Sequence, residues 1–344
     1  MRSAFAVALV CLWVAVSSPR LPAAVAFPDP VSLAPLESRM LADPTDGEFR
    51  RFSLIEAALV ASGVERGDEL DRYAEKYAVW LEQTRRNCRR EKSQLRQAEA
   101  LFEFMHRQIL VGGYDARATE LTQTFDEGKF NCASASLLFT ALATDCGLTV
   151  HAVERPRHAM CALYIDGQRT VIETTCPNWF QLSPDMRRDA ERAVVARTNV
   201  PGRPTAAREI SPAELVAVIY YNRGVDLLQE MRYAAAVSVN LRALRLDPKN
   251  ATAFGNLLAS INNWSLALCE AGDCAEAAEL LARGLTVAPD HESFHANQRH
   301  VYRTWIQSLA TAGRQSEAVA VLAAARQAEP DSPLWNVWSV RLSR

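Results

Sequence analysis

The sequence predicts a two-part fold: an α+β domain over residues 27–180, a linker at 181–211, and an all-α solenoid of helical hairpins over 212–344. Three observations lead there. Glycine is scarce, 14 residues in 344, which tilts the chain toward helix and away from glycine-rich barrels and dinucleotide folds. Between Leu148 and Thr174 the apolar pattern shifts from helical spacing to strand runs broken by Asp166-Gly167. From about residue 215 the sequence recurs with a period of 41, and a fixed period of that size signals stacked helical units.

The chain opens with Met1-Arg2, an apolar run from Ala4 to Val16, and Ala24-Val25-Ala26. This is the layout of a secretory signal peptide at 1–26, and Pro19 and Arg20 cut the run short of a stable membrane span. The expectation is export, periplasmic or extracellular, after cleavage near Ala26; without cleavage the segment would act as an anchor. Removing Cys11 with the leader leaves Cys88, Cys132, Cys146, Cys161, Cys176, Cys269 and Cys274, an odd set that keeps at least one thiol unpaired within the chain. Net charge −2 gives no electrostatic reason to expect nucleic acid.

Residues 52 to 110 carry helical spacing, with Leu95, Ala98, Leu101, Phe102, Met105 and Ile109 on one apolar face. Arg85, Arg86, Arg89 and Arg90 form a solvated basic face, and Val111-Gly112-Gly113-Tyr114 breaks the helical run. In Asn131-Cys132-Ala133-Ser134 the asparagine is a helix cap, and Leu137, Leu138, Ala141 and Leu142 make a buried stripe ending before Gly147. Cys132 therefore falls in the first turn of a buried helix. There the helix dipole favours a thiolate, and the unpaired N–H groups can hold an oxyanion.

Strands follow at Leu148 to Arg155, at Ala159 to Ile165 opened by Pro156-Arg157-His158, and at Gln168 to Thr174. A two-residue turn at Asp166-Gly167 pairs Ile165 with Gln168 and Met160 with Glu173, so His158 and Glu173 share a face of the hairpin. Cys132, His158 and Glu173 then supply a nucleophile, a base and an orienting acid. The helix-borne Cys, the Gly-Leu after the helix, the His-Ala strand, the Asp-Gly hairpin and the acid followed by threonine resemble the transglutaminase-like cysteine-hydrolase superfamily. That resemblance implies a transglutaminase-like (papain-like) fold for the first domain, with Cys132 as nucleophile, His158 as general base and Glu173 in place of the usual aspartate. Two departures are visible: the acid is longer by a methylene, and Met160 stands where an aromatic commonly follows His-Ala, so no aromatic oxyanion donor is identified.

Pro201, Pro204 and Pro212 mark the linker. Beyond it, Leu227, Leu268 and Leu309 align, as do Ala236, Ala277 and Ala318, with Pro248, Pro289 and Pro330 closing the units. Gly224, Ala236, Ala243 and Pro248 resemble the tetratricopeptide (TPR) pattern; Gly284 replaces the second alanine in one unit, and the extra residues after Lys249 lengthen the first helix. A TPR-type solenoid implies a protein-binding surface. His291-Glu292-Ser293-Phe294-His295 spells a zinc-hydrolase motif, but the repeat places it at a helix start capped by Asp290, so no metal or other cofactor is expected.

The remaining candidates have ordinary readings. His106 bounds an amphipathic helix, His151 is a partly exposed strand residue, and Cys161 faces away from His158. Cys269 and Cys274 bracket a helix–helix turn and can pair in an oxidising compartment. The function expected is acyl transfer on a peptide or protein substrate, by hydrolysis, with a protein partner on the repeats. The alternative is a noncatalytic scaffold.

Overall fold

The computed structural model describes residues 27–198 and 207–343, so the predicted leader at 1–26 and Pro201 and Pro204 lie outside the described residues. Helices α1 (Pro35–Leu41), α2 (Leu54–Ala61), α3 (Gly67–Cys88) and α4 (Gln94–Phe104) build the first layer. Ser53 and Glu56 form a reciprocal capping box at the start of α2, and Ser93 caps α4. The helix of α4 continues as a single π turn, Met105–Ile109. Arg85 and Arg86 are exposed as expected only in part: Arg86 pairs with Glu82, but Arg85 donates to the Asp145 carbonyl at 3.0 Å.

A short strand β1 (Gly113–Tyr114) pairs in parallel with β2 (Lys129–Phe130), with α5 (Leu121–Glu127) between them. Next comes α6 (Cys132–Asp145), buried continuously from Ala133 to Ala143. A helix apolar on all sides belongs at the centre of a core. It lies against β3 (Thr149–Arg155) and β4 (His158–Ile165), where the Cys161 sulfur meets Thr140 Oγ1 at 3.4 Å. β4 turns through Asp166 and Gly167, both at positive φ, into β5 (Gln168–Ile172), and Ile165 pairs with Gln168 as the two-residue turn requires. The strand stops at Ile172, so Glu173 and Thr174, expected inside it, sit in the turn that follows.

The segment 181–211 is more than a linker. It contains helix α7 (Pro184–Thr198) and a strand β6 (Arg208–Ile210) that pairs antiparallel with β3 and completes a sheet of order β5-β4-β3-β6. Its proline content marked a loop, and a three-residue strand reading Arg-Glu-Ile is too short to show an alternating pattern.

Seven helices follow: α8 (Pro212–Gln229), α9 (Tyr233–Leu246), α10 (Ala251–Ala271), α11 (Cys274–Val287), α12 (Glu292–Thr311), α13 (Gln315–Ala328) and α14 (Leu334–Leu342), each packed on the next. Pro248, Pro289 and Pro330 stand two residues past the ends of α9, α11 and α13, where no further helical hydrogen bond is needed. α10 has 21 residues and α12 has 20, against 18 in α8, so the long period does extend the first helix of the later pairs. Glycine at 224 and 284 is imposed by contact. A Cβ on Gly224 would lie 2.5 Å from Asn240 Nδ2, and one on Gly284 would lie 2.8 Å from the Phe294 ring.

The zinc-like motif resolves into packing, with one correction. His291 itself, not Asp290, is the cap of α12: its Nδ1 accepts from Phe294 N, as Asn250 does from Ala253 N one repeat earlier. His295 is turned to the Pro289 carbonyl and to Glu329. Among the described residues no cluster of three His, Cys, Asp or Glu is placed to hold a metal, and no helix is long and apolar enough to cross a membrane.

The two parts share one core. A single apolar cluster runs from Leu36 to Val301, and α8 packs on α2 and α6. Polar ties cross the same boundary: Tyr220 and Arg242 both bond Glu37, at 2.7 and 3.1 Å, and Arg208 on β6 meets Glu154, Glu214 and Asp247.

Candidate active site

Cys132 is the first residue of α6, half-buried, and the cap beside it is fully engaged. Asn131 Oδ1 accepts from Ala133 N at 2.9 Å and Ser134 N at 3.1 Å, while Ser134 Oγ accepts from Asn131 N. Ala135 N bonds the Asn131 carbonyl. The helix start therefore offers a single amide, that of Cys132, to an oxyanion; the several N–H groups expected there are spent on the cap. Asn131 Nδ2 continues outward to Thr119 Oγ1 at 2.6 Å, and Asn222 of α8 donates to the same hydroxyl at 3.4 Å. Replacing Asn131 with alanine removes these bonds together, and urea unfolding is expected to show a loss of about 2 kcal/mol.

The strand into Cys132 is held by backbone contact that only glycine permits. A Cβ at Gly112 would lie 2.2 Å from the Glu127 carbonyl oxygen, and Gly128 is left-handed at φ +69° with no more room. This clasp lays Tyr114 on Phe130, their ring centroids 6.0 Å apart, at the approach to the thiol.

His158 is the first residue of β4. The turn before it has Pro156 at one central position and left-handed Arg157, φ +62°, at the other, closing the pair Arg155 and His158. Its Nε2 meets Glu173 Oε2 at 2.7 Å. The other carboxylate oxygen accepts from Thr175 N at 3.1 Å and Thr175 Oγ1 at 2.6 Å, so the acid is fixed at both ends. The turn past β5 absorbs the extra methylene of glutamate. Thr174 then anchors that turn in two directions, its hydroxyl 2.8 Å from Ser136 on α6 and its carbonyl accepting from His106 Nε2 at 3.1 Å.

The Cys132 thiol lies close enough to the same imidazole to act on its charge. With Nε2 taken by the carboxylate, Nδ1 is the nitrogen left to the sulfur. Burial works to lower the His158 pKa, but the hydrogen bonds and charges of Cys132 and Glu173 outweigh it and raise it to about 10. Burial likewise works to raise Glu173, yet the imidazole and the two Thr175 bonds hold it below the ordinary carboxylate value. The imidazolium is thus the favoured form of His158 beside Glu173, and a cationic imidazole next to a cysteine is the arrangement a cysteine nucleophile needs.

The structure thus brings together all three residues singled out in the sequence. Cys161 stays apart, as expected: it is fully buried between Thr140 and the Ser136 carbonyl, and burial pushes its thiol up to about 12. His151 is exposed against Tyr164. His106 is more than a boundary residue, since it supports the turn holding Glu173, and burial lowers its pKa and keeps it neutral. Met160 lies in a small cluster with Val153 and Ala162 beneath α7. Two tyrosines escaped the sequence. Tyr114, raised by burial and then by the negative charge of Cys132 and Glu173, borders the site from β1. Tyr221 of α8 donates to Glu154 at 2.8 Å and also feels the Cys132 charge, so the helical part backs the site. A cavity of about 450 Å³ lies between α7 and the sheet, lined by Arg155, Met160, Val171, Arg188 and Val195 and by none of the three site residues. Compared with family models, with curated proteins and with solved structures, the chain matches none, so what it does rests on the chemistry of these side chains.

Proposed function

We propose that this chain is an exported, cysteine-dependent acyl-transfer enzyme of transglutaminase-like type, hydrolysing a peptide or amide bond, with a TPR-type helical part that binds a protein partner. One observation carries it: the His158 ring is held by Glu173 and is acted on by the Cys132 thiol at the start of a buried helix.

The chemistry follows from those positions. The thiolate attacks the amide carbonyl carbon, forming the C–S bond while the π pair moves to oxygen, where the Cys132 N–H holds it. As the intermediate collapses, the C–N bond breaks and the leaving nitrogen takes the proton of His158. Water, deprotonated by His158, then attacks the thioester; the C–S bond breaks and the sulfur leaves as thiolate. Glu173 keeps the ring in one orientation and stabilises its charge through both transfers.

An electrophilic amide analogue tests the proposal. Labelling is expected at Cys132 at least 100-fold faster than at a free thiol, with loss of the advantage in His158→Ala. Labelling no faster than a free thiol, or unchanged by His158→Ala, would leave a noncatalytic scaffold as the account of the fold.

A further inference from the structure

Outside the site, another pair of thiols is brought together from far apart in the chain. Cys88 is the last residue of α3, and Cys146 follows the last residue of α6. Both cysteines line one notch of about 210 Å³ together with Arg85, Arg89, Gln97 and Asp145, and the Cys88 thiol donates to the Gln97 carbonyl at 3.5 Å. The two helices are tied together at Asp145, beside Cys146. Arg85 Nη2 donates to the Asp145 carbonyl at 3.0 Å, and Tyr77 donates to Asp145 Oδ2 at 2.7 Å.

We propose that Cys88 and Cys146 are a dithiol site that is oxidised to a disulfide by exchange with a small anionic disulfide, fastening the far end of the nucleophile-bearing helix to α3. The inference stands independently of the acyl-transfer reading. Placement distinguishes this pair from the other cysteines. The Cys161 sulfur is engaged by Thr140 and the Ser136 carbonyl, and Cys269 and Cys274, with sulfurs 3.1 Å apart, join only the two sides of one helix–helix turn. Cys88 and Cys146 instead belong to helices separated in sequence, and a reagent reaches them through the notch, where Cys146 is half-buried and Cys88 is 5% exposed.

The two arginines in the notch set the reagent class. A guanidinium beside a thiol favours the thiolate and attracts a carboxylate-bearing disulfide. Cys88 is the sulfur poised to ionise: the hydrogen bond from Cys146 holds its pKa down, against burial, while the Cys146 thiol is pushed up. The Cys88 thiolate attacks the reagent's S–S bond, forming a mixed disulfide and expelling one thiolate. The Cys146 sulfur then attacks at Cys88, closing the intramolecular bond and expelling the second. The protons given up by Cys88 and Cys146 end on the two expelled sulfurs. The protein pair loses two electrons and the reagent gains them.

The test uses the full chain carrying Cys132→Ala, so that the candidate nucleophile takes no part. The reduced protein is incubated with oxidised glutathione, quenched with an alkylating agent, digested without reduction and mapped by mass spectrometry. The expected result is a peptide pair joined through Cys88 and Cys146, released by reductant. Adding Cys146→Ser should stop the reaction at a glutathione adduct on Cys88. Alkylation of both thiols after oxidant treatment, a stable glutathione adduct on either in the unaltered pair, or linkage of either to another cysteine would overturn the proposal.

Discussion

Glu173→Gln is expected to slow acylation of Cys132 about 10³-fold to 10⁴-fold, the scale at which a catalytic histidine loses its orienting carboxylate. The reason is a conflict of donors. Glu173 presents two acceptor oxygens, one to His158 Nε2 at 2.7 Å and one to the Thr175 amide and hydroxyl. Glutamine has only one oxygen. If it faces Thr175, the NH₂ faces Nε2, which must then accept, and the ring proton moves to Nδ1, the position where the ring should receive a proton from sulfur. If it faces His158, the Thr175 amide meets a donor. Either arrangement removes the charge that keeps the imidazolium stable.

The pH dependence gives a second readout. His158 is raised from 6.5 to about 10, so the stability it contributes is full below pH 6.5 and is lost as pH rises toward 10. Glu173 is lowered from 4.5, so its contribution is present above pH 4.5 and is lost as pH falls below that. The pair therefore stabilises the fold most between about pH 4.5 and 6.5, and the base limb of the acylation profile follows the loss of the imidazolium near pH 10. In Glu173→Gln that limb moves to lower pH and both stability trends flatten. A rate and a base limb identical to those of the parent protein would rule out Glu173 as the orienting acid.

What the sequence revealed about this site was its order along the chain. Asn131 before Cys132, a buried helix, then His158 and Glu173 on a hairpin with a two-residue turn are local features, and period-2 parity carries the last two to the same side. What it hid depends on contacts between distant segments. The loss of oxyanion donors to the Asn131 cap requires knowing that the Asn131 side chain reaches both Ala133 and Ser134. Tyr114 is placed by the fit of Gly112 against the Glu127 carbonyl, which no periodicity records. Tyr221 and Asn222 reach the site from the helical part because α8 packs on α6, while the repeat pattern alone portrays that part as separate. β6 was invisible because three residues cannot display an alternation, and its partner β3 lies more than fifty residues earlier.

That last element carries the largest expected effect on stability. Arg208 of β6 donates through Nε to Glu154 Oε2 at 2.8 Å and through Nη1 to Glu214 at 2.7 Å, and its Nη2 pairs with Asp247. Glu154 and Asp247 are buried, 9% and 2% exposed, and Asn250 donates to both. Arg208→Met keeps much of the side-chain volume but leaves these carboxylates facing one another without a cation. Breaking a buried pair in this way costs about 3–5 kcal/mol; with the guanidinium 40% exposed, solvent screening brings the expected loss in urea unfolding to about 2–4 kcal/mol. Because Glu154 lies on β3, Glu214 on α8 and Asp247 just past α9, the loss loosens the seam between the sheet and the helical part more than either alone. Adding Glu154→Gln to Arg208→Met removes one of the repelling charges and should recover a measurable part of the loss, a coupling that a double-mutant cycle reads directly. If Arg208→Met costs less than about 0.5 kcal/mol, the cluster is an ordinary surface ion pair, and the fastening of the two parts falls to the apolar contacts of α8 with α2 and α6.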